Sequence, residues 1–357
     1  MTSLGFITLS LQQEKDYAYK LAKRAHLHNI TFYRFTPNSY SVEDKNVHGL
    51  RYDHLEHDFV EDIFPIPSYL YDRCFYKNDR SSMRAKRNMR MLKNQHDILF
   101  LGYGLPNKKE VFSALQQHQS LSFYIPYTTF PNTPTEVYER LKTDREIVLK
   151  PLCGSGGRGI LFITLQEKIH VYTQDRGKVN VNSFSAHDKF INWLYGKLLT
   201  ESYLIQPYLN MQWGGSPSDI RLLVQKKNET WIESVRAIRK GKKGTLLTNL
   251  SQGGKISSFI ENLYLYDHKT RLYVQKALED IVETLPKTLD YAFGPLFELG
   301  IDIAFTKDGH LFVIDINSKP GRKSSSILTE KELEQIYDRP FAYICFLEQR
   351  KGVEQRA

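Results

Sequence analysis

The stretch of residues 300–321, GIDIAFTKDGHLFVIDINSKPG, constrains the fold of this chain more than any other segment. Its centre is Asp308-Gly309 between two apolar or alternating runs, which is the strongest short-range signal for a hairpin with a two-residue type I′ turn. Such a turn fixes the register of both strands, and counting back from it places Asp302 directly opposite Asp315. The sequence therefore predicts two carboxylates that are neighbours across a β-ladder.

Asn317 lies on the same side of its strand as Asp315, because side chains in a strand alternate between faces. Like charges directly opposed across a ladder destabilise it unless another group compensates. A hard cation such as Mg²⁺, which prefers one or two carboxylates plus substrate phosphates, would do so. We therefore expect Asp302, Asp315 and Asn317 to be metal ligands, and a solvated polar face is the alternative. A Lys or Arg head group in this space, or carboxylates on different surfaces, would overturn the metal site and any activity that depends on it.

Length and composition indicate a globular protein of more than one domain. A chain of 357 residues is too long for one ordinary core, and its 41% hydrophobic and 25% charged residues are typical of soluble proteins. The N-terminus has no basic segment before an apolar run, and no run approaches the roughly 18 to 20 apolar residues of a membrane span. The widely spaced Cys74, Cys153 and Cys345 contain no CxxC pair and argue against disulfides and zinc. We expect a cytosolic protein.

Part of the net charge of +9 is concentrated in residues 71–94, which contain eight Lys or Arg residues and two Asp residues. Arg80, Arg84 and Arg87 share a face of a predicted helix there. Such a run is usually a solvated face, and the alternative is contact with an acidic partner such as a polyanionic substrate, a nucleic acid or an anionic surface. The run contains no zinc-finger or RRM signature, so it does not specify nucleic acid.

Residues 1–105 are predicted to form a small α/β unit with a parallel sheet, because strands alternate with helices. Within it, residues 37–67 are polar and are interpreted as an irregular insertion. The composition changes at residues 102–106, GYGLP, which we take as a domain boundary. A helix over residues 107–117 follows, with Asn107 as its N-cap.

Residues 147–164 predict a strand, a glycine loop and a second strand. The loop matches GxGxxG, but a dinucleotide-binding fingerprint must open a helix, and residues 160–164 are short, apolar and β-branched. The chain also has no GxxxxGK[ST] sequence, which excludes a P-loop. We interpret the segment as a hairpin loop whose backbone N–H groups and Ser155 approach phosphates, with Lys150 as a point charge beside them. A merely mobile turn is the alternative.

Further along, residues 203–209 predict a strand that runs into a bend, which suits an adenine pocket. Residues 219–225 and 231–238 predict a hairpin in which Arg221 lies amid apolar residues, either as a paired structural charge or as a functional group. Arg236 and Arg239 are three apart, so they face the same way only if the strand ends between them. A polar glycine loop at residues 248–254 precedes a long helix over residues 267–291.

This order of features resembles the ATP-grasp superfamily over residues 107–340. The shared features are a lysine before a glycine hairpin, a strand-to-bend segment, Asp-x-Arg and an asparagine loop. At the end of the domain follow one acidic residue, Asp302, and an acid-x-Asn sequence, Asp315 to Asn317. Residues 71–76, YDRCFY, and 100–108, FLGYGLPNK, are further similar to endospore coat-associated proteins of the YheC/YheD type. The resemblance implies an α/β (α+β) architecture, an ATP-grasp fold with a small N-terminal α/β pre-ATP-grasp domain. The implied division is 1–105 for the N-terminal domain, 106–345 for the ATP-grasp domain with a lid at about 145–205, and 346–357 for a tail.

The resemblance also implies roles for individual residues. Lys108 and Lys150 would be the nucleotide lysines, with the choice between Lys108 and the adjoining Lys109 left open. The phosphate lid would comprise Gly154, Ser155, Gly156, Gly157 and Gly159, and the adenine contacts would be Gln206, Tyr208 and Leu209. The ligands of Mg²⁺ would be Asp302, Asp315 and Asn317. The phosphoryl group or the acceptor carboxylate would meet Arg221, Arg239 and Asn249.

By the same resemblance the chain would be an ATP- and Mg²⁺-dependent carboxylate–amine ligase. A carboxylate, on a peptide or another acidic acceptor in sporulation, would attack ATP to give an acyl phosphate, and an amine would then displace phosphate. Asp315 stands where many ATP-grasp ligases have glutamate, which leaves open whether one or two ions bind. The expected location is the mother-cell cytosol, with association to the spore coat.

Two other function classes remain open at this stage. The first is a non-catalytic spore-layer protein that retains the fold. The second is a basic nucleic-acid binder, whose affinity for nucleic acid would fall steeply as the salt concentration rises. Of these alternatives, a nucleic-acid partner is the one that we do not expect.

Overall fold

The computed structural model describes residues 2–41, 43–76, 79–154, 156–213, 216–248, 250, 253–307 and 309–354, without the side chains of residues 212–213 and 353–354. The predictions for Ser155, Asn249 and Asp308 concern residues outside these ranges. Three sheets organise the fold, each covered by helices.

The N-terminal sheet is built on parallel strands, as the alternation of strands and helices predicts. Its strands are β1 (Ser3–Ile7), β2 (Thr31–Phe35), β3 (Asn46–Asp53), β4 (Asp58–Pro65), β5 (Tyr69–Asp72) and β6 (Leu99–Phe100), in the order β4-β3-β2-β1-β5-β6. β1 pairs in parallel with β2 and β5, and β5 pairs in parallel with β6. The helices α1 (Lys15–Ala25) and α2 (Arg80–Lys93) bury their apolar faces against this sheet.

Residues 37–67 do not form the irregular insertion that their polar composition predicts. β3 and β4 form an antiparallel hairpin, and β3 pairs antiparallel with β2, so this segment extends the sheet. β4 lies at the edge, where Phe64 is buried and its neighbours are exposed or half-buried. An edge strand with a solvated face needs few apolar residues, which explains why composition failed to indicate it.

The second sheet is antiparallel and carries the glycine loop. Helix α3 (Lys108–Gln117) leads to it and begins at Asn107, whose side chain accepts from the backbone N–H groups of Lys109 and Glu110, so the predicted N-cap is confirmed. After α4 (Pro134–Asp144), the strands are β7 (Glu146–Pro151), β8 (Leu161–Leu165), β9 (Ile169–Asp175), β10 (Lys178–Phe184) and, after α5 (His187–Thr200), β11 (Tyr203–Pro207). Their order is β10-β9-β8-β7-β11. The glycine loop thus joins two strands, as predicted, and opens no helix.

The third sheet contains the predicted carboxylate hairpin. Its strands are β12 (Gln212–Trp213), β13 (Ser216–Lys227), β14 (Thr230–Lys240), β15 (Lys255–Ser258) and, after the helices α6 (Phe259–Leu263) and α7 (His268–Phe293), β16 (Glu298–Phe305) and β17 (Leu311–Asn317). They are ordered β15-β14-β13-β16-β17, and β12 pairs with β13. The apolar face of α7 packs with α3 and this sheet in one core.

Helix α8 (Glu330–Glu354) closes the chain and packs between the first and third sheets. Phe341 and Ile344 belong to the core of the N-terminal sheet, whereas Ile336 packs with Leu223 of β13. Residues 346–354, interpreted from the sequence as part of a tail, instead continue this helix. Within the described ranges, no helix is both long enough and apolar enough to cross a membrane.

The β16–β17 connection differs from the two-residue turn that the sequence predicts. That turn would pair Lys307 with His310. Instead, the backbone N–H of Thr306 donates to the carbonyl of His310 at 2.9 Å, and Phe305 pairs with Leu311. The loop is therefore longer by one residue, which by itself would shift every pair along the ladder.

A β-bulge restores the predicted register. The pairing shifts between Asp302 and Ile303, because Ile303 pairs with Val313 whereas Asp302 pairs with Asp315. Ile314 is the extra residue on β17. The prediction that Asp302 faces Asp315 is thus confirmed, although the turn from which it was counted is wrong.

A buried charged cluster joins the N-terminal sheet to the third sheet. Arg73, which is fully buried, donates to Glu298 at 2.9 Å, to Glu14 at 2.7 and 2.6 Å, and to the carbonyl of Pro320 at 2.9 Å. Glu298 is 2% exposed and also pairs with Arg322. Glu298 thus contacts two guanidinium groups from distant parts of the chain, one of which it shares with Glu14.

The substitution Glu298→Gln is expected to lower the free energy of unfolding by roughly 3–5 kcal/mol, because removing one partner leaves buried charges uncompensated. The matched control is Glu229→Gln, which removes an exposed partner of Arg350 and should cost less than about 1 kcal/mol. Urea denaturation followed by tryptophan fluorescence measures both. Equal costs for the two variants would contradict a structural role for the buried cluster.

Candidate functional site

A cavity of about 310 Å³ opens between the second and third sheets. Sequence-predicted residues from both sheets and from α3 line it: Lys108, Lys150, Gly154, Gly156, Gly157, Gln206, Tyr208, Leu209, Arg221, Arg239, Asp302, Asp315 and Asn317. Gly159 is not part of this lining. It lies against Pro151, where an added Cβ would come within 2.9 Å of the proline ring, so its role there is close packing of the loop rather than contact with the cavity.

Two arginine side chains surround the carboxylate of Asp302. Asp302 is 7% exposed, and it pairs with Arg221 and with Arg239, whose Nη2 lies 2.7 Å from Oδ2. Burial raises the pKa of the Asp302 carboxyl, and the two guanidinium groups act in the opposite direction. β13 supplies Arg221 opposite Asp302 in the ladder, so this contact follows from the strand register.

Asp315 binds a different cation. The Nζ of Lys108 lies 2.6 Å from its Oδ1, and the Nδ2 of Asn317 lies 3.1 Å from its Oδ2. Burial alone would raise the pKa of Asp315, but Lys108 holds it below its usual value. Lys109 instead lies over the Phe130 ring, at 5.7 Å from its centroid. The structure therefore brings Lys108, and not Lys109, into the cavity.

Basic head groups occupy the space in which the sequence predicts a metal ion. The two carboxylates face each other as predicted, but Arg221, Arg239 and Lys108 already compensate their charge. A Lys or Arg head group in this space is the condition stated above for giving up the metal site, and the structure meets that condition. The assignment of Asp302, Asp315 and Asn317 as metal ligands stays a prediction. The geometry is that of a mixed acidic and basic centre, rich in both oxygen ligands and phosphate-binding groups.

Lys150 depends on the bulge in β17. Its Nζ donates to the backbone carbonyl of the bulged residue Ile314 at 3.0 Å. A bulge leaves one residue outside the regular ladder, and here the carbonyl of that residue anchors an ammonium group. Burial, reinforced by the nearby charge of Lys108, lowers the pKa of Lys150 to about 8.

Asp219 is a site residue that our sequence reasoning missed. It binds Arg239 through two contacts of 2.7 Å each and accepts from the hydroxyl of Thr248. The signal was present in the Asp219-x-Arg221 spacing, which places both side chains on one face of β13. Arg236, three residues before Arg239, pairs with Glu233 outside the cavity, as the odd spacing indicates.

The other end of the cavity is mostly apolar. Val148, Phe162 and Leu246 line it together with Tyr208, whose ring meets Phe162 edge-on at 6.1 Å. Gln206 is buried here; its Nε2 donates to the hydroxyl of Thr128 at 2.9 Å, whereas its Oε1 has no partner among the described residues. An unpaired buried acceptor between apolar walls suits a flat ligand that carries an amino group.

Lys319 is a second residue that our sequence reasoning missed. It lines the cavity, and its Nζ lies 2.6 Å from Asp72 and 3.1 Å from the carbonyl of Cys74, both in the segment at and after the end of β5. Phe75 also lines the cavity. The N-terminal sheet therefore contributes directly to the site, which local sequence patterns do not indicate.

The donor set suits a hard cation only in part. Two facing carboxylates and an amide are the oxygen ligands that Mg²⁺ accepts, but the amide of Asn317 presents its nitrogen to Asp315. Within the described ranges, no group of three or more His, Cys, Asp or Glu residues is placed to hold a metal. The oxygens present fit an ion that takes its remaining ligands from phosphate and water.

The fold is that of the ATP-grasp superfamily. It resembles the ATP-grasp ligase PsnB, solved in complex with a minimal precursor, with a TM-score of 0.54, 13% identity, and coverage of 94% of this chain and 98% of that one. It also resembles the D-cycloserine synthetase DcsG, with a TM-score of 0.54, 14% identity, and coverage of 98% and 99%.

The sequence matches the YheC/D-like ATP-grasp family over residues 97–347, and the chain belongs to this family. It is 38% identical over 363 aligned residues to the endospore coat-associated protein YheC of Bacillus subtilis (strain 168). The alignment covers 100% of this chain and 99% of that protein. The resemblance drawn from the sequence is thus confirmed at the level of fold and family.

The substitution Lys108→Met is expected to raise the pKa of Lys150 above about 8, because it removes a nearby like charge and frees Asp315 to attract the remaining ammonium. The matched control is Lys109→Met, which should leave this pKa unchanged. NMR of ¹³C-dimethylated lysines across a pH titration measures the shift. An unchanged Lys150 signal in Lys108→Met would show that the two lysines do not interact.

Proposed function

We propose that this protein is an ATP- and Mg²⁺-dependent ligase that joins a carboxylate to an amine. One observation carries the proposal: the described lining of the cavity is rich in positive charge. Its charged residues are six basic ones, Lys108, Lys150, Arg158, Arg221, Arg239 and Lys319, and three acidic ones, Asp219, Asp302 and Asp315. A concave site with excess positive charge, one apolar end and an adjacent glycine loop fits a nucleoside triphosphate.

The nucleotide would bind with its base at the apolar end. The unpaired Oε1 of Gln206 would accept from the amino group of adenine, while Tyr208 and Leu209 would contact the ring. Lys108 and Lys150 would bind the phosphates as point charges. The loop containing Gly154, Gly156 and Gly157, together with Ser155 outside the described ranges, would cover them with backbone N–H groups.

Asp302, Asp315 and Asn317 would hold Mg²⁺, which would neutralise negative charge on the phosphates. The cations that now contact these carboxylates need not leave the site. A triphosphate brings several negative charges, so Lys108, Arg221 and Arg239 can move from carboxylate to phosphate and release the oxygens. This exchange supports retaining the metal site despite the basic groups found there.

The reaction would proceed in two substitutions. A substrate carboxylate oxygen attacks the γ-phosphorus, the bond from that phosphorus to the bridging oxygen breaks, and ADP leaves with the electron pair. An amine then attacks the acyl carbon, phosphate departs, and the amine loses a proton. Arg221 and Arg239 would stabilise charge on the transferred group, and then on the tetrahedral oxyanion. Asn249 would assist them from outside the described ranges.

The acceptor would be a peptide or another acidic molecule, and the setting would be sporulation. Support comes from YheC, an endospore coat-associated relative, and from PsnB, whose structure contains a precursor. The protein would act in the mother-cell cytosol and associate with the coat. We further propose the division into residues 1–105, 106–345 and a lid at about 145–205.

A non-catalytic coat protein is the second candidate, favoured by the ion pairs that already satisfy Asp302 and Asp315.

Isothermal titration with ATP in millimolar Mg²⁺ is expected to show binding to the wild-type protein. Lys150→Met should weaken it at least tenfold or so, because a charge-assisted contact to phosphate is lost, whereas Lys109→Met should bind normally. No binding by the wild type would refute the proposed function. Binding without ADP formation on any pool of acids and amines would instead favour the non-catalytic candidate.

The affinity for ATP is expected to fall as the pH rises above about 8. Lys150 binds phosphate only when protonated, and burial lowers its pKa to about 8, so the neutral form dominates at higher pH. The Kd should increase by up to about tenfold per pH unit there. Lys150→Arg keeps its charge and should show a flatter profile between pH 7 and 9. Identical profiles for both proteins would exclude Lys150 as the titrating group.

A further inference from the structure

Helix α2 carries a strongly basic surface that the proposed function has not used. Its buried side packs into the N-terminal core through Ser82, Ala85, Met89 and Leu92. The opposite side exposes basic residues, and Arg80, Arg84, Arg87 and Arg90 form no ion pair with any acidic side chain in the part of the chain that the structure describes. Like charges four residues apart on a helix destabilise it slightly, and an acidic partner would relieve this repulsion.

The basic residues form two stripes along α2. Lys86, Arg90 and Lys93, spaced i, i+4 and i+7, form the near stripe, and Arg80, Arg84 and Arg87, with the same spacing, form the far stripe. The far stripe is the face that the sequence predicts. The near stripe was not singled out from the sequence, and the structure distinguishes the two by what lies beside them.

The near stripe continues into the cavity. The ammonium groups of Lys86 and Lys319 lie over the same Tyr76 ring, at 5.3 and 5.4 Å from its centroid. Lys93 and Lys319 likewise share Asp72, at 3.4 and 2.6 Å from its two oxygens. Because Lys319 also lines the cavity, a chain of basic side chains linked by Tyr76 and Asp72 connects the surface of α2 to the proposed site of phosphoryl transfer.

We propose that the near stripe is the docking surface for an acidic polypeptide, which is the carboxylate substrate of this protein. This inference rests on the proposed ligase function, because the docked chain would present a side-chain or terminal carboxylate past Lys319 to the nucleotide. Residues four apart on a helix are separated by about 6 Å along its axis. Alternate side chains of an extended peptide are separated by about 6.6 Å. An acidic chain can therefore place the carboxylates of alternate residues against Lys86 and Arg90, in the direction of Lys93.

An acidic polypeptide fits this surface better than a nucleic acid does. The proposed ligase reaction requires a substrate carboxylate, which a nucleic acid lacks. The aromatic rings beside the stripe already have cationic partners, since Tyr76 contacts Lys86 and Lys319 and Phe75 contacts Arg73, and these contacts compete with stacking on bases. The exposed Met83, beside Lys86 on the helix, offers apolar contact to peptide side chains.

The test uses fluorescence anisotropy with fluorescein-labelled decaglutamate, at low salt and without nucleotide. Lys86→Gln/Arg90→Gln removes two charges from the near stripe, and Arg84→Gln/Arg87→Gln removes two from the far stripe of the same helix. We expect the near-stripe variant to lose about tenfold in affinity and the far-stripe variant less than about twofold, because only the near stripe contacts the peptide. Binding should weaken as salt rises.

Three outcomes would overturn the inference. The first is an absence of decaglutamate binding by the wild type. The second is an equal loss in both double variants, which would mean attraction to net charge alone. The third is tighter binding of a labelled single-stranded oligonucleotide with ten phosphates, lost in the near-stripe variant, which would assign the surface to nucleic acid.

The same assay separates failure of this inference from failure of the ligase proposal. Lys150→Met removes a nucleotide contact but leaves α2 untouched, so it should bind decaglutamate as the wild type does while losing affinity for ATP. Peptide binding without ATP binding by the wild type would refute the ligase alone. ATP binding without peptide binding would refute the docking surface alone.

Discussion

The placement of Asp302 opposite Asp315 is the constraint on which the rest of the site depends. Two carboxylates across one ladder must be compensated, and the structure does so with Arg221 and Arg239 on one side and Lys108 on the other. These cations come from two strands and a helix, so the repulsion within one hairpin determines which surrounding side chains can be tolerated. The result is a buried centre of paired charges, which we propose exchanges its internal ion pairs for those of a bound polyanion.

The bulge at Ile314 links the register of the hairpin to the position of Lys150. Without it, the longer loop would shift the ladder and separate the carboxylates. With it, a carbonyl leaves the regular pairing and accepts from the Lys150 ammonium. One local irregularity therefore fixes both an acidic pair and a basic group from another sheet, which is consistent with the frequent occurrence of bulges near functional sites.

The N-terminal sheet contributes to the site as well as supporting it. Arg73 holds the backbone of Pro320, and Asp72 holds Lys319, so the segment after β17 is bound to the end of β5. The proposed docking surface, the near stripe of α2, extends from the contact between Asp72 and Lys319. A substrate that contacts both α2 and the cavity would therefore bind across the boundary between two sheets, where a change in their relative position would alter both contacts.

The sequence by itself determined the family and most of the elements, although not the hairpin of β3 and β4 or the full length of the last helix. Asn107 caps its helix as its short polar side chain predicts, and β-branched residues after the glycine loop indicate a strand. Only the tertiary structure decided that Lys108 rather than Lys109 enters the cavity, that Asp219 and Lys319 belong to it, and that a bulge corrects the register. The physical reason is the distance along the sequence. Caps and strand patterns depend on neighbouring residues, whereas the site depends on contacts such as that between Lys108 and Asp315, which are 207 residues apart. No local pattern indicates such a contact.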